Sequence, residues 1–222
     1  MFTGTPFPLG KVFGVMVRLD VTLLLLAAFY AAQGFIRHGL TGALDAATFA
    51  LLLFFCIYLH EMGHALGAAL FKIKTLDVTL TFFGGYARLI GSPRTPFQQV
   101  VVSFAGPAAN LLIAAGLIWY NATTPNPSSI ASNLAYANLF LGIFNLLPGF
   151  PLDGGKIAAA ILSNFMSSSR ARVITGYIGI GVGILIIVWG LQSGGLGTLN
   201  FLLGLLLIMA AAQEIQAAGG RF

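Results

Sequence analysis

The chain has 222 residues, of which 58% are hydrophobic and only 8% are charged, and this composition excludes a water-soluble globular domain. A mean hydropathy of +0.92 predicts a membrane protein that lies almost entirely in the bilayer. The single cysteine, Cys56, excludes an intramolecular disulfide and a multi-cysteine zinc site. The net charge of +5 does not indicate nucleic-acid binding, because the basic residues form no stripe.

Six apolar stretches along the chain predict transmembrane helices, each of which needs about 20 residues. Before the first of them, residues 12–19 predict a short β-rich segment at the membrane surface. Between the second and the third, residues 75–90 predict a β-hairpin with its turn at Gly84-Gly85. A short helix is predicted over residues 156–166, after the fourth span. The predicted spans are approximately residues 21–36, 48–71, 97–120, 130–147, 173–191 and 196–212.

The predicted fold class is therefore a membrane all-α protein, a bundle of six transmembrane helices with a small membrane-associated β-sheet. The N-terminal strand and the hairpin would form that sheet, and we expect residues 1–222 to be a single integral membrane domain. Six spans leave both termini on one side of the membrane. Ten of the 11 lysine and arginine residues fall on that side, and Arg37 alone falls on the other. The positive-inside rule therefore predicts a multi-pass cell-membrane protein with cytoplasmic termini.

The second predicted span contains the sequence His-Glu-Met-Gly-His at residues 60–64. His60 and His64 are four residues apart, so on a helix both imidazoles can reach one metal ion. Glu61 supplies a carboxylate that can take a proton from zinc-bound water, as in zinc hydrolases. Each ionisable group at mid-membrane depth costs roughly 2.5–3.5 kcal/mol on insertion scales, so a purely structural role for three such neighbours is disfavoured. The motif predicts a buried zinc site.

A catalytic zinc ion usually has three protein ligands, and two acidic residues are candidates for the third. Pro148 and Pro151 must break the fourth span just before Asp153, and broken backbone at membrane depth survives where it is buried or lines a wet cavity. Asp153 could instead cap the following helix, but an unpaired carboxylate at that depth would be costly. Glu214 is the alternative ligand, although it lies at the end of a span. Asp153 is the favoured third ligand.

Three motifs in this order resemble those of the site-2 protease family of intramembrane zinc metalloproteases. They are HEMGH at residues 60–64, SFAGPAAN at 103–110, and the pattern N-x-x-P-x-x-x-x-D-G at 145–154. The small six-span prokaryotic members are the most similar in organisation. Many relatives also carry an inserted PDZ domain or C-terminal regulatory domains, and we expect neither in these 222 residues.

The resemblance implies an intramembrane endopeptidase that cleaves membrane-spanning segments of other proteins in signalling. By that resemblance His60, His64 and Asp153 would bind one zinc ion per chain, and Glu61 would be the catalytic base. Asn145 would position the substrate or stabilise the oxyanion. The implied partners are transmembrane protein substrates and the lipid bilayer; the sequence does not predict the oligomeric state or the physiological substrate.

Two other functions are compatible with a metal site in a membrane bundle. One is a membrane metal transporter, and the other is a catalytically silent binder of membrane helices. A transporter needs histidine and acidic ligands but has no need of Glu61 beside the first histidine, and a silent binder would tolerate its loss. The position of Glu61 therefore favours a protease.

Overall fold

The computed structural model describes residues 6–12, 14–81, 84–194 and 199–219. Helices and strands follow one another along this part of the chain, which divides into two compact units. The first unit contains Met1–Ser92 and Ala105–Gly142, and the second contains Pro93–Phe104 and Ile143–Phe222. In chain order the elements are β1 (Phe7–Val12), β2 (Val15–Leu19), α1 (Val21–Ala69), β3 (Lys74–Thr81), β4 (Gly84–Ile90), α2 (Pro96–Thr123), α3 (Ser129–Asn145), α4 (Asp153–Leu162), α5 (Ser168–Gly194) and α6 (Leu199–Ala217).

Helices α1, α2, α5 and α6 each contain a stretch that is long and apolar enough to cross a membrane. Helix α1 has 49 residues, which is enough for two membrane spans of about 20 residues each. It bends at His38 and Gly39, where Gly39 has a φ of 65°. Helix α1 thus contains the first two predicted spans, and α3 corresponds to the fourth. The predicted six-helix membrane fold with a small sheet is confirmed.

The connection between the first two spans is shorter than predicted. The predicted spans leave residues 37–47 between them, but the backbone leaves helical geometry only at His38 and Gly39. The residues that follow are rich in alanine and leucine, which favour helix. The exposed polar side chains therefore lie at a short bend and not in a long loop.

The first unit contains a four-stranded sheet in the order β1-β2-β3-β4. Strands β2 and β3 pair in parallel, and the other two pairs are antiparallel. Strand β3 is therefore hydrogen-bonded on both sides, whereas β1 and β4 are the outer strands. The predicted hairpin turn at Gly84-Gly85 is wrong, because both glycines lie in β4. The two residues between the hairpin strands, Phe82 and Phe83, lie outside the described residues.

A buried ion cluster joins three strands of this sheet. The Asp77 side chain in β3 is only 1% exposed and accepts hydrogen bonds from Arg18 Nε at 3.1 Å and Arg88 Nε at 2.9 Å. A second nitrogen of Arg88, Nη2, donates to Asp77 Oδ2, so this pair is bidentate. The hydrogen bonds from the Arg88 guanidinium hold the pKa of Asp77 below its ordinary value.

Helix α1 packs on the sheet and begins beside it. Asp20 is the N-cap of α1, and its carboxylate accepts hydrogen bonds from the backbone N–H of Thr22 at 2.9 Å and from the Thr22 hydroxyl. The backbone N–H of Asp20 donates to the carbonyl of Leu80 in β3. The sheet is thereby tied to the start of the helix. The buried hydrophobic core between them consists of Leu23, Ala50, Phe54, Met62, Ala65, Val78 and Leu80.

Helices α5 and α6 of the second unit pack closely through glycines. A Cβ atom added at Gly183 would lie 2.8 Å from the carbonyl oxygen of Gly204, so the two backbones are nearly in contact. At the other end of the pair, Arg172 Nε donates to Glu214 Oε1 at 2.6 Å. The glycines of α5 therefore allow tight packing against α6.

Candidate metal centre

Helix α1 brings the two motif histidines together. The Nε2 atoms of His60 and His64 are 3.1 Å apart, and the ring planes are nearly perpendicular at 86°. Two nitrogens bound tetrahedrally to one zinc ion at about 2.0–2.1 Å would be roughly 3.3–3.4 Å apart. The observed separation is therefore close to what a shared metal ion requires.

Helix α2 approaches α1 at this point through small residues. A Cβ atom added at Gly63 would lie 2.5 Å from the carbonyl oxygen of Ala105. A Cβ atom added at Gly106 would contact His64 Nε2 and lie 2.8 Å from His60 Nε2. Only glycine leaves room here for the two imidazoles, so the SFAGPAAN segment helps to form the histidine pair.

The side-chain amide of Asn110 contacts the second ring nitrogen of His60. Its Oδ1 atom lies 2.5 Å from His60 Nδ1, and the Asn110 side chain is fully buried. A metal-binding histidine commonly donates its second ring N–H to such an oxygen, which orients the ring. Our sequence reasoning did not include Asn110 in the site, although its presence in an apolar span four residues after Gly106 was a detectable signal.

Glu61 lies beside strand β4. Its residue is only 6% exposed, and a Cβ atom added at Gly85 would contact Glu61 Cγ and lie 2.9 Å from Glu61 Oε1. The backbone of the outer strand therefore lies directly against the carboxylate. Gly85 is needed for this close approach. The glycine that we interpreted as part of a turn is therefore required by its contact with Glu61.

In the second unit, Asp153 is buried, with 4% exposure, and is the first residue of α4. The N-cap is Leu152, so the alternative in which Asp153 caps the helix is not observed. Helix α4 also begins three residues earlier than predicted. Lys156 Nζ donates to Asp153 Oδ1 at 2.9 Å, which holds one carboxylate oxygen from the next turn of the helix.

The chain segment before Asp153 is held by three glycines in close contact with backbone. A Cβ atom added at Gly154 would collide with the carbonyl oxygens of Leu146 and Leu147, and one at Gly155 would lie 2.7 Å from the oxygen of Gly149. On α5, a Cβ atom added at Gly179 would collide with the Phe150 carbonyl group. The broken segment therefore has little freedom to shift.

The remaining sequence-predicted candidates have different surroundings. Asn145 is the last residue of α3 and is half-buried; its catalytic role stays a prediction. Glu214 is paired with Arg172. His38 lies exposed at the bend of α1.

Within the part of the chain that the structure describes, one group of histidine, cysteine or acidic side chains could hold a metal ion. It consists of His60, His64 and Asp153. Two imidazole nitrogens and one carboxylate are a donor set that catalytic zinc sites use, with a fourth position left for water. The residues present therefore fit a zinc ion.

Comparison with known proteins gives an independent view of the chain. The sequence profile of "Peptidase family M50" matches residues 48–126 and 120–188. A putative zinc metalloprotease of Synechocystis, sll0528, is 38% identical over 157 residues, which are 69% of this chain and 40% of that protein. The putative zinc metalloprotease Rip3 of Mycobacterium tuberculosis is 33% identical, over 93% of this chain and 58% of its own length. The chain thus spans about half the length of these curated relatives.

The fold is also similar to a solved structure. The site-2 protease from Methanocaldococcus jannaschii superposes with a TM-score of 0.72 at 27% sequence identity. The match covers 95% of this chain and 95% of that one. The similarity therefore extends over the helices, the sheet and the segment that contains Asp153.

Proposed function

The chain belongs to peptidase family M50, the zinc metalloproteases of the site-2 type, and on that premise we propose that it is an intramembrane endopeptidase. Its substrates are membrane-spanning segments of other proteins. It binds one zinc ion per chain through His60, His64 and Asp153. The observation that carries the proposal is this candidate metal-binding group together with Glu61, which directly follows the first histidine.

Each protein group has a distinct role in the proposed reaction. When bound, zinc lowers the pKa of a water molecule to about 7 and polarises the scissile carbonyl. The Glu61 carboxylate takes the proton from the attacking water and passes it to the leaving nitrogen. The Asn145 amide donates a hydrogen bond to the oxyanion. Contact with the Gly85 backbone restricts the positions that the Glu61 carboxylate can take.

The substrate must unwind before it can be cut, because the peptide bonds of an α-helix are shielded by their neighbours. Unwinding in lipid exposes backbone donors and acceptors, each of which costs several kcal/mol unless it finds a partner. Within the hairpin, strand β3 cannot supply those partners, because it is already paired with β2 and β4. The outer strand β4 is the better candidate, since it also lies against Glu61. The proposed clamp is therefore β4, which takes up the substrate as an additional strand.

The orientation in the membrane is also part of the proposal. Both termini and the sheet lie on the cytoplasmic side, as the distribution of basic residues indicates. The pairing of β2 with β3 supports a common side for the N-terminal strand and the hairpin, since paired strands cannot lie on opposite sides of a bilayer. Cytoplasmic water would then reach the site from the side of the sheet.

The proposed activity is tested with purified full-length chain and single-span membrane substrates in lipid vesicles, with and without a zinc chelator. We expect cleavage that the chelator abolishes. The variant Glu61→Gln should keep its zinc but lose about 10²–10⁴-fold in rate, because an amide cannot accept the proton. Near-normal cleavage by Glu61→Gln would exclude Glu61 as the base and favour a transporter or a silent binder.

The third ligand needs a separate measurement of metal content. Asp153→Ala should lose zinc, whereas the matched variant Glu214→Ala should retain it, because Glu214 is not part of the candidate metal-binding group. Zinc retained by Asp153→Ala and lost by Glu214→Ala would show that the assignment of the third ligand is wrong.

A further inference from the structure

A chain of three hydrogen bonds connects His60 to the backbone of α3. His60 Nδ1 lies 2.5 Å from Asn110 Oδ1, and Asn110 Nδ2 donates to Asn138 Oδ1 at 2.8 Å. Asn138 Nδ2 in turn donates to the carbonyl oxygen of Leu134 at 2.9 Å. Both asparagine side chains are fully buried, with 0% exposure. This series of hydrogen bonds therefore lies in a region from which water is excluded.

The direction of every bond in this chain follows from its last acceptor. A backbone carbonyl can only accept, so the end of Asn138 that faces Leu134 must be the NH₂ group. The oxygen of Asn138 therefore faces Asn110 and requires the NH₂ group of Asn110. This leaves the Asn110 oxygen toward His60, and that oxygen requires a hydrogen on Nδ1. A reversed Asn110 amide would place its oxygen against the oxygen of Asn138, with two acceptors face to face.

We propose that Asn138, acting through Asn110, is a positioning residue that fixes the tautomer of His60. Because Nδ1 carries the hydrogen, Nε2 has the lone pair that a metal ligand needs. The inference rests on the proposed function in one respect, the binding of zinc by His60. Neither asparagine is part of the candidate metal-binding group. Asn138 lies on α3 and therefore influences the binding of zinc by His60 on α1 through two hydrogen bonds.

A purely structural role for Asn138 makes a different prediction. Buried amides hold transmembrane helices together by hydrogen bonding, and such an amide could stabilise the fold without influencing the His60 ring. Its removal would then lower stability and leave the tautomer and the zinc affinity of the folded protein unchanged. The two roles are separated by a pair of variants of similar volume.

The first variant, Asn138→Leu, removes both hydrogen bonds. The second, Asn138→Asp, keeps the direction of the chain, because a neutral buried carboxyl group donates to Leu134 and accepts from Asn110. Two readouts apply to the full-length chain: zinc affinity by competition with a chelator, and the tautomer of His60 by side-chain ¹⁵N NMR of the metal-free protein. The His60 signal is assigned by comparison with His38→Gln and His64→Gln, since the chain has three histidines.

We expect the zinc affinity of Asn138→Leu to fall about 10–100-fold and its His60 signal to show mixed tautomers. Asn138→Asp should stay close to the original protein in both measurements. An unchanged affinity and a single Nδ1–H tautomer in folded Asn138→Leu would overturn the inference. If that variant does not fold, Asn138→Ser, whose hydroxyl cannot reach both partners, takes its place with the same outcomes. Failure of the unaltered chain to bind zinc would instead refute the proposed function, and the tautomer measurement would still test the role of Asn138.

Discussion

Gly85 and Glu61 are in direct contact, so the backbone of the outer strand β4 forms one wall of the space that the carboxylate occupies. An added methyl group at Gly85 would displace the Glu61 side chain. We expect Gly85→Ala to bind zinc normally and to cleave substrates about 10²-fold more slowly, because misplacement of a catalytic group by about 1 Å costs that much. Metal analysis and single-turnover cleavage measure the two effects separately. An unchanged cleavage rate would show that the carboxylate is not held by this contact.

Helix α2 offers a matched pair of glycines for a test of the histidine pair. In Gly106→Ala the new methyl group would collide with the Nε2 atoms of His60 and His64, whereas Gly116 has no atom within 4 Å of such a group. We therefore expect Gly106→Ala to lose at least about 10-fold in zinc affinity, which is the lower end of the effect of disturbed ligand support. Gly116→Ala should be indistinguishable from the unaltered chain. Equal zinc affinities of the two variants would contradict the geometry of the pair.

A second matched pair lies on α5. Gly179 is packed against Phe150 in the segment that precedes Asp153, and Gly181 faces open space. The methyl group of Gly179→Ala must push that segment away, so we expect a lower zinc content and a lower thermal stability. Gly181→Ala should change neither, because alanine in an open helical position is favourable. Thermal unfolding followed by metal analysis distinguishes the two, and similar losses in both variants would mean that the close contact at Gly179 is unimportant.

The proposed clamp is tested by single proline substitutions at Tyr86, Ala87 and Leu89 in β4. Proline removes one N–H donor, and alternate residues of a strand point their N–H groups to opposite edges. Where the N–H faces β3, proline should weaken the sheet. Where it faces the outer edge, the protein should fold and bind zinc but cleave poorly. If every well-folded variant of this series cleaves at the original rate, the strand only covers the site.

The ion cluster around Asp77 predicts how stability depends on pH. The Arg88 guanidinium lowers the pKa of Asp77 in the folded protein, so the folded state binds a proton less readily than the unfolded chain. The resulting stabilisation is present above the unfolded pKa of about 3.9 and is lost as the pH falls through the lower folded value. We expect Asp77→Asn to lower Tm by roughly 4–8 °C at neutral pH, since hydrogen bonds to charged groups are strong.

Thermal unfolding at a series of pH values provides the check. The difference in Tm between the unaltered chain and Asp77→Asn should shrink below pH 4, because Asp77 becomes protonated there and resembles the amide. A difference that stays constant across the acid range would mean that the charge of Asp77 contributes nothing and that the side chain acts only by packing.

The parts of the fold that depend on residues close together in the sequence were predictable from the sequence alone. The spacing of His60 and His64 determines that they share a helix face, and long apolar stretches determine the spans, so both features agree with expectation. Gly85 was misinterpreted because its requirement comes from Glu61 in a different element. A double glycine is also a common turn signal, and nothing local distinguishes the two causes.

Contacts between residues far apart in the chain were not predictable in this way. Asn138 has its partner Asn110 28 positions away, and Arg18 has its partner Asp77 59 positions away. No periodicity or motif connects such pairs, since each is created by the packing of helices or by the pairing of strands. The catalytic role of Asn145 likewise stays a prediction, because its position at the end of α3 does not by itself reveal what it binds.

The parallel pairing of β2 with β3 also limits the order in which the chain can mature. Met16 pairs with Asp77, and all 49 residues of α1 lie between them. While the chain is being synthesised, β2 cannot pair with β3 until α1 has entered the bilayer, bent at Gly39 and returned. Only then can β3 dock, and β4 can come to lie against Glu61 only after β3 has docked. A chain that has inserted one span can therefore possess neither the sheet nor a shielded carboxylate, which delays assembly of the site until both spans are in place.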